Sequence, residues 1–255
     1  TLLAEMNSFD IAQFLTELRE ESEQKMVLVY LLLSKEQGAE VFAELEAPEQ
    51  ELIINSISDS QLGAIIEEMY VDDAVDLMEE LPANVVKRVM RAATPETRTL
   101  INQYLKYPEN SAGSIMTAEF IDLKKYMNVR ESIARIRRIG EDKETISVCY
   151  VTSADRTLEG VVTVKDLLLH DDEDVISDIM DTKVIYTHTT EDQEDVADLI
   201  SDYDLLAVPV VDRENRLVGI ITVDDIIDVI EAENTEDIEK MAGIVPTDTP
   251  YARSR

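Results

Sequence analysis

Gly160-Val-Val-Thr-Val-Lys-Asp166 and Gly219-Ile-Ile-Thr-Val-Asp-Asp225 are one seven-residue pattern written twice, and reading them together decides the fold. A second pair precedes them: Ser114-Ile-Met-Thr117 matches Asp178-Ile-Met-Asp181. The offset is 64 residues for the upstream pair and 59 for the downstream pair, so the first copy carries about five extra residues between its motifs, expected around residues 140–145. Val- and Ile-rich runs at 147–151, 160–164, 207–211 and 219–223 read as strands. Helical stretches at 129–139 and 191–201 separate them, and strand alternating with helix argues for an α/β domain. Each copy is too short to bury a full core alone, so the two are expected to pack on each other as a pseudo-dimer.

Ahead of this doubled region, residues 1–107 read as helical throughout. Gly is scarce there, and Leu, Ala, Glu and Met dominate, all good helix formers. Apolar residues recur at helical spacing, as in Ile11, Phe14, Leu15 and Leu18, or Leu77, Met78 and Leu81. Three stretches align without gaps: Asp10-Ile-Ala-Gln-Phe-Leu-Thr-Glu-Leu18, Gln37-Gly-Ala-Glu-Val-Phe-Ala-Glu-Leu45 and Asp73-Ala-Val-Asp-Leu-Met-Glu-Glu-Leu81. Short helices repeating every 27 to 36 residues predict a small superhelix, with Pro48, Pro82 and Pro95 at its turns. The fold class expected is therefore α followed by α/β.

The 255 residues hold 55 Asp and Glu against 23 Lys and Arg, a formal charge of −32. Such a surface disfavours nucleic acid and anionic lipid, both of which need a basic face. The longest apolar run, residues 26–33, is far below the ~20 residues that span a bilayer. No basic and apolar leader opens the sequence, so a soluble cytoplasmic location is expected. Cys149 stands alone, which excludes a disulfide framework and a thiolate metal cage. The acids crowd toward the end: residues 191–239 hold seventeen Asp and Glu and two basic residues, Arg213 and Arg216. A solvated surface explains any single one of them; a hard divalent cation explains acids at helical spacing.

The doubled I-M-[TD] and G-[IV]-[IV]-T-V-x-D pattern resembles a tandem pair of CBS (cystathionine β-synthase) domains. Tyr107-Pro-Glu-Asn-Ser-Ala-Gly-Ser-Ile-Met-Thr117, Asp72-Asp-Ala-Val-Asp-Leu-Met-Glu-Glu-Leu-Pro82, Pro209-Val-Val-Asp212 and Thr235-Glu-Asp-Ile-Glu-Lys-Met-Ala-Gly243 resemble the cytosolic part of MgtE-type magnesium transporters. The resemblance covers essentially the whole chain. It implies a helical N-domain over 1–107, a first CBS domain over 108–176 and a second over 177–232. Residues 233–255 would begin a connecting helix toward a membrane pore that this sequence does not contain. It further implies a homodimer through the CBS domains at the cytoplasmic face of the membrane, and Mg²⁺ bound between acidic surfaces to compact the assembly and close the pore.

Carried over position by position, the resemblance implies Mg²⁺ ligands at Glu40, Asp72, Asp76, Asp204, Asp225, Asp228, Glu233, Glu236 and Asp237, with the Gly113 carbonyl as an addition. Their spacing suits the role: Asp72 and Asp76 are one helical turn apart, and so are Asp225 and Asp228. Glu40 aligns with Asp76 in the helical repeats, which suggests the same side of the superhelix. No D-x-[DN]-x-[DN]-G loop occurs, and Mg²⁺ needs only one or two carboxylates while keeping its waters. Asp72 and Asp73 equally suit the first turn of a helix ending near Leu81, and Asp192 is either a further ligand or the cap of the helix that follows it. CBS pairs often hold adenine nucleotides on a T-x-x-D motif. Thr163, Lys165 and Asp166 offer one with a cation, whereas Asp224 beside Asp225 makes the second copy hostile to phosphate. The competing reading is that Thr and Asp simply cap the next helix. No catalytic motif surrounds His170, His188 or Cys149, so an enzyme is not expected, although paired acids around two metals would suit a hydrolase. A nucleotide-binding CBS regulator without metal sensing is the alternative.

Overall fold

The computed structural model describes residues 2–227, 229 and 230, and it divides into two units, Thr1–Lys106 and Tyr107–Arg255. The candidate ligands Asp228, Glu233, Glu236 and Asp237, and the expected connecting helix, lie outside the described residues.

The first unit is helical from end to end. Its helices are α1 (Ser8–Glu21), α2 (Glu23–Tyr30), α3 (Lys35–Ala43), α4 (Ala47–Ser56), α5 (Asp59–Ile66), α6 (Val71–Glu80), α7 (Ala83–Ala92) and α8 (Pro95–Tyr104). Short polar side chains start most of them: Asn7, Ser22, Ser34, Ser58 and Thr94 each accept a backbone N–H of the first turn. The prolines open helices rather than merely separating them, with Pro48 and Pro95 in first turns and Pro82 at the N-cap of α7. Helix α3 packs on α1 and on α5, and α5 on α7, while α2 meets α4 and α6 meets α8. Stacking of alternate helices is the architecture of a superhelix. Ile11, Leu15, Val41, Phe42, Ile53, Leu62 and Leu77 fill the core; Phe14, which shares their spacing, is exposed. Two arginines tie the stack across its layers. Arg19 meets the fully buried carboxylate of Glu49 at 2.6 Å. Arg88 pairs with Asp59 at 2.8 Å and donates to the carbonyl of Ile57 at 2.6 Å, placing a cation where α4 presents its last carbonyls.

The second unit contains the doubled α/β region. Its first copy runs β1 (Ile121–Leu123), α9 (Val129–Ile139), β2 (Val148–Thr152), β3 (Leu158–Thr163) and α10 (Val164–Leu169). After α11 (Ile176–Ile179), the second copy repeats the order as β4 (Thr187–His188), α12 (Gln193–Asp202), β5 (Ala207–Val211), β6 (Leu217–Thr222) and helical residues 223–227. In each copy the first strand pairs parallel with the second, and the second antiparallel with the third. The two short strands β1 and β4 carry no run long enough to read from sequence. The extra residues of copy one fall where expected, between α9 and β2, and they form a 3-10 turn at Gly140–Asp142.

Packing explains why both halves of the repeated motif exist. The chain just before each copy crosses to the other copy's sheet. Thr117 and Ile220 exchange backbone hydrogen bonds of 2.8 and 2.9 Å, and the equivalent pair Asp181 and Val161 exchange two of 2.9 Å. The methionine of each I-M-[TD] then lies over the glycine of the other copy. A Cβ on Gly219 would stand 2.7 Å from the Thr117 carbonyl and 2.8 Å from Met116 Sδ; one on Gly160 would stand 2.7 Å from Met180 Sδ. Only glycine permits that approach. A shared core of Tyr150, Ala207, Leu217 and Ile220, with Phe120 and Val161 against it, closes the pseudo-dimer.

Candidate regulatory sites

The acids on the first unit fall on two helices. Asp72 lies in the first turn of α6, where a carboxylate also suits the helix dipole, and Asp76 follows one turn later on an exposed position. Glu40 is exposed on α3 and accepts a hydrogen bond from the Ser8 hydroxyl at 2.5 Å. Its sequence equivalence with Asp76 does not give it equivalent surroundings: α3 belongs to the row running from α1 to α7, whereas α6 packs on α8. Gapless alignment detects similar helix faces, not which row of the stack each helix joins.

In the second unit Gly113 is buried, with its N–H on the carbonyl of Thr189 at 3.0 Å. A side chain there would collide with the Tyr107 ring at 2.6 Å, so the glycine is required by close packing. Asp204 ends α12 in the left-handed region, φ 51°, and the N–H of Leu205 bonds back to the carbonyl of Ile200 at 3.1 Å. That is the six-to-one bond of a Schellman stop, with Asp in the place usually held by glycine or asparagine. Asp192 is the N-cap of α12 and accepts from the Glu194 N–H at 2.9 Å, as its capping alternative required.

Both T-x-x-D motifs are helix starts. Asp166 accepts from the Thr163 N–H at 2.9 Å and hydroxyl at 2.6 Å, and its own N–H returns to Thr163 Oγ1 at 3.1 Å. Asp225 holds Thr222 in the same way, at 3.1 and 2.6 Å. Partial desolvation raises the Asp166 carboxyl, and the Thr163 bonds with the nearby Lys165 and His170 charges more than offset it, leaving it below the ordinary range. Lys165 is exposed one residue away. Cys149 is buried with its thiol pushed up to about 12 by desolvation, and so is a small core residue rather than a nucleophile. His170 turns a ring nitrogen to the Asp166 carbonyl at 2.8 Å.

Among the described residues, no group of three or more His, Cys, Asp or Glu stands close enough to hold a metal ion. The most structured charge cluster is one the sequence did not single out. Asp122 in β1 pairs with Arg135 of α9, which also donates to the Asp122 carbonyl at 2.7 Å; Lys124 reaches Asp122 at 3.2 Å and Thr152 Oγ1 at 2.6 Å. Half-burial raises the Asp122 carboxyl, and the bonds to Arg135 and Lys124 outweigh that and hold it below the usual carboxylate range. The sequence signal was available: in copy two the positions equivalent to Asp122 and Arg135 are Tyr186 and Leu199.

Two intertwined α/β copies joined at reciprocal strands define a CBS-domain pair, here preceded by a stacked helical domain. Family comparison agrees in both halves: residues 2–110 match the MgtE intracellular N domain, and residues 176–232 match the CBS domain. The magnesium transporter MgtE of Thermus thermophilus is 37% identical over 99% of this chain and 56% of its own length. A crystal structure described as the cytosolic domain of the Mg²⁺ channel MgtE in complex with ATP aligns with a TM-score of 0.82 at 36% identity, over 89% of this chain and 92% of that one. Another, of the soluble part of a magnesium transporter, aligns at 0.67 and 31% identity, over 89% and 99%. The chain belongs to the MgtE family and corresponds to its cytosolic N-domain and CBS-pair region. It spans about half the length of the curated relatives it matches. Among the described residues, no helix is long and apolar enough to cross a membrane.

Proposed function

We propose that this chain is the magnesium-sensing region of a magnesium transporter, working at the cytoplasmic face of the membrane as a homodimer. The observation that carries the proposal is its likeness, over nine-tenths of its length, to the cytosolic domain of a Mg²⁺ channel, in a chain of charge −32. Mg²⁺ would lie between modules rather than in a preformed cage, shared by Asp72, Asp76 and Glu40 on the helical unit and Asp204, Asp225, Asp228, Glu233, Glu236, Asp237 and the Gly113 carbonyl on the CBS side. Mg²⁺ suits such sites because it keeps several waters and takes few carboxylates.

The physics is a balance of like charges. Two carboxylates ~5 Å apart at an effective dielectric of ~20 repel by about 3 kcal/mol, so acidic modules stay apart until a divalent ion enters. Converting a mostly open ensemble into a mostly closed one needs about 5.5 kcal/mol of differential binding, within reach of a few weak sites. The exposed Leu168 on α10 and its equivalent Ile227, 71% and 52% accessible, offer apolar surface to the partner protomer of such a homodimer. Closure would pass through the segment after residue 232 to a membrane pore. Small-angle scattering with and without millimolar Mg²⁺ tests the reading. The radius of gyration should fall with the ion, and fall less in an Asp72→Asn, Asp76→Asn, Asp225→Asn variant; a radius indifferent to Mg²⁺ overturns it.

A second reading concerns adenine nucleotide at Thr163, Lys165 and Asp166, favoured by Lys165 where copy two has Asp224. Calorimetry with ATP should show binding that is lost in a Lys165→Ala, Asp166→Asn variant. Equal binding by both proteins would remove these residues from the site.

A further inference from the structure

A cleft of about 310 Å³ opens in copy one, between the edge of its sheet and the segment after α9. We propose that it is a binding site for a small organic phosphate monoester, separate from the T-x-x-D motif. Three cations reach it: Arg135 from α9, Lys143 from the segment after α9, and Arg156 from the turn joining β2 to β3. Phe120, Ile139 and Leu217 supply apolar wall. The carboxylate present, Asp122, is paired with Arg135 and Lys124, so the charges left for a ligand are those of Lys143 and of Arg156, which donates through Nη2 to the Leu217 carbonyl at 3.0 Å. The cleft therefore pairs net positive charge with an apolar surface inside a strongly acidic chain, which suits a dianionic head on a compact hydrophobic body.

Comparison with copy two shows that the fold does not require this chemistry. The positions equivalent to Asp122, Arg135, Ile139 and Thr152 are Tyr186, Leu199, Tyr203 and Val211, and the residue equivalent to Arg156 is Asn215. Both turn residues adopt left-handed backbone, φ 69° at Arg156 and 58° at Asn215. Asparagine tolerates that conformation readily; a long side chain such as arginine is uncommon there. Lys143 belongs to the extra residues found in copy one alone, so a cation was added together with the segment that carries it. It is half-buried. Behind Phe120 and Leu217, the Tyr150 ring stands edge-on to Phe120 at 6.3 Å. Its hydroxyl is buried with no hydrogen-bond partner among the described residues.

The experiment is calorimetric titration of the full chain with phenyl phosphate, a monoester of suitable size, and with benzyl alcohol as the uncharged counterpart. Phenyl phosphate should bind at one site per chain, and benzyl alcohol should not bind. Lys143→Ala with Arg156→Asn should weaken phenyl phosphate about tenfold or more, as loss of charge-assisted bonds predicts. These two positions carry little of the core, and an unchanged melting temperature confirms that the variant is folded. Asp166→Asn should leave the affinity unchanged. The proposal is overturned if phenyl phosphate fails to bind at millimolar concentration, if the double variant binds as tightly as the parent, or if Asp166→Asn abolishes binding. That last result would assign the phosphate to the T-x-x-D motif instead. None of these outcomes depends on magnesium sensing.

Discussion

The two CBS copies share a backbone and differ in almost everything that charge can do. Helix α9 carries Arg130, Arg135, Arg137 and Arg138, while its counterpart α12 carries Glu194, Asp195, Asp198 and Asp202 and no basic residue. Their caps are equivalent: Asn128 and Asp192 open the two helices at matching positions. Their β-hairpins shift register at equivalent points, Val151/Thr152 and Val210/Val211. Duplication thus fixed the scaffold, and divergence gave copy one a cationic cleft and copy two an acidic surface.

The sharpest way to break the comparison is at the glycines that let the copies interlock. Gly219→Ala should destabilise the CBS unit by about 2–3 kcal/mol, because its Cβ meets a backbone carbonyl that cannot move cheaply. Gly160→Ala should cost less, since the nearest atom is the flexible Met180 thioether. Urea denaturation of both variants checks the order, and equal losses would show the copies to be interchangeable here. Next in size are the capping boxes. Thr163→Ala and Thr222→Ala should each cost about 1 kcal/mol by the same measurement. A loss confined to one copy would mean that the other threonine serves something besides its helix.

A smaller effect separates the copies by pH. The folded Asp122 carboxyl lies below its ordinary value, so its contribution is present above the ordinary aspartate range, near pH 4, and is lost as pH falls through the depressed folded value. Copy two has Tyr186 at this position, so this particular carboxylate has no counterpart there. Asp122→Asn should therefore lower stability at neutral pH and flatten the acid limb of the denaturation midpoint plotted against pH. An unchanged acid limb would show that the network contributes little. The smallest expected difference is at the helix starts, where Asn128→Ala should cost slightly more than Asp192→Ala. Asn128 forms a reciprocal box with Glu131, whereas Asp192 makes a one-way cap. Thermal melts of the two variants would resolve it.

Much of this was legible in residues alone. The repeated G-[IV]-[IV]-T-V-x-D stretch announced two copies, and the change of offset placed the extra residues of copy one correctly. The run at 129–139 gave α9 to the residue, because its cap, amphipathic spacing and terminal glycine all agree. The short strands β1 and β4 were not legible, since three and two residues carry no period. The acids were legible as candidates but not as neighbours: Glu40 and Asp76 align in sequence, yet their helices pack on different partners. The cleft in copy one was not legible, because its members come from β1, α9, a connecting segment and a hairpin turn, and no local pattern joins them.

By itself the sequence determined the doubling, the helical character of the first unit, the acid excess and the family likeness. Periodicity and composition are local or additive properties that survive without coordinates. Only the tertiary structure decided that the methionine of one copy covers the glycine of the other, and that Asp122 is met by Arg135 and Lys124. It likewise showed that the repeated Thr and Asp hold each other at helix starts. Those facts depend on distances between segments far apart along the chain, which are set by how the buried faces close on one another.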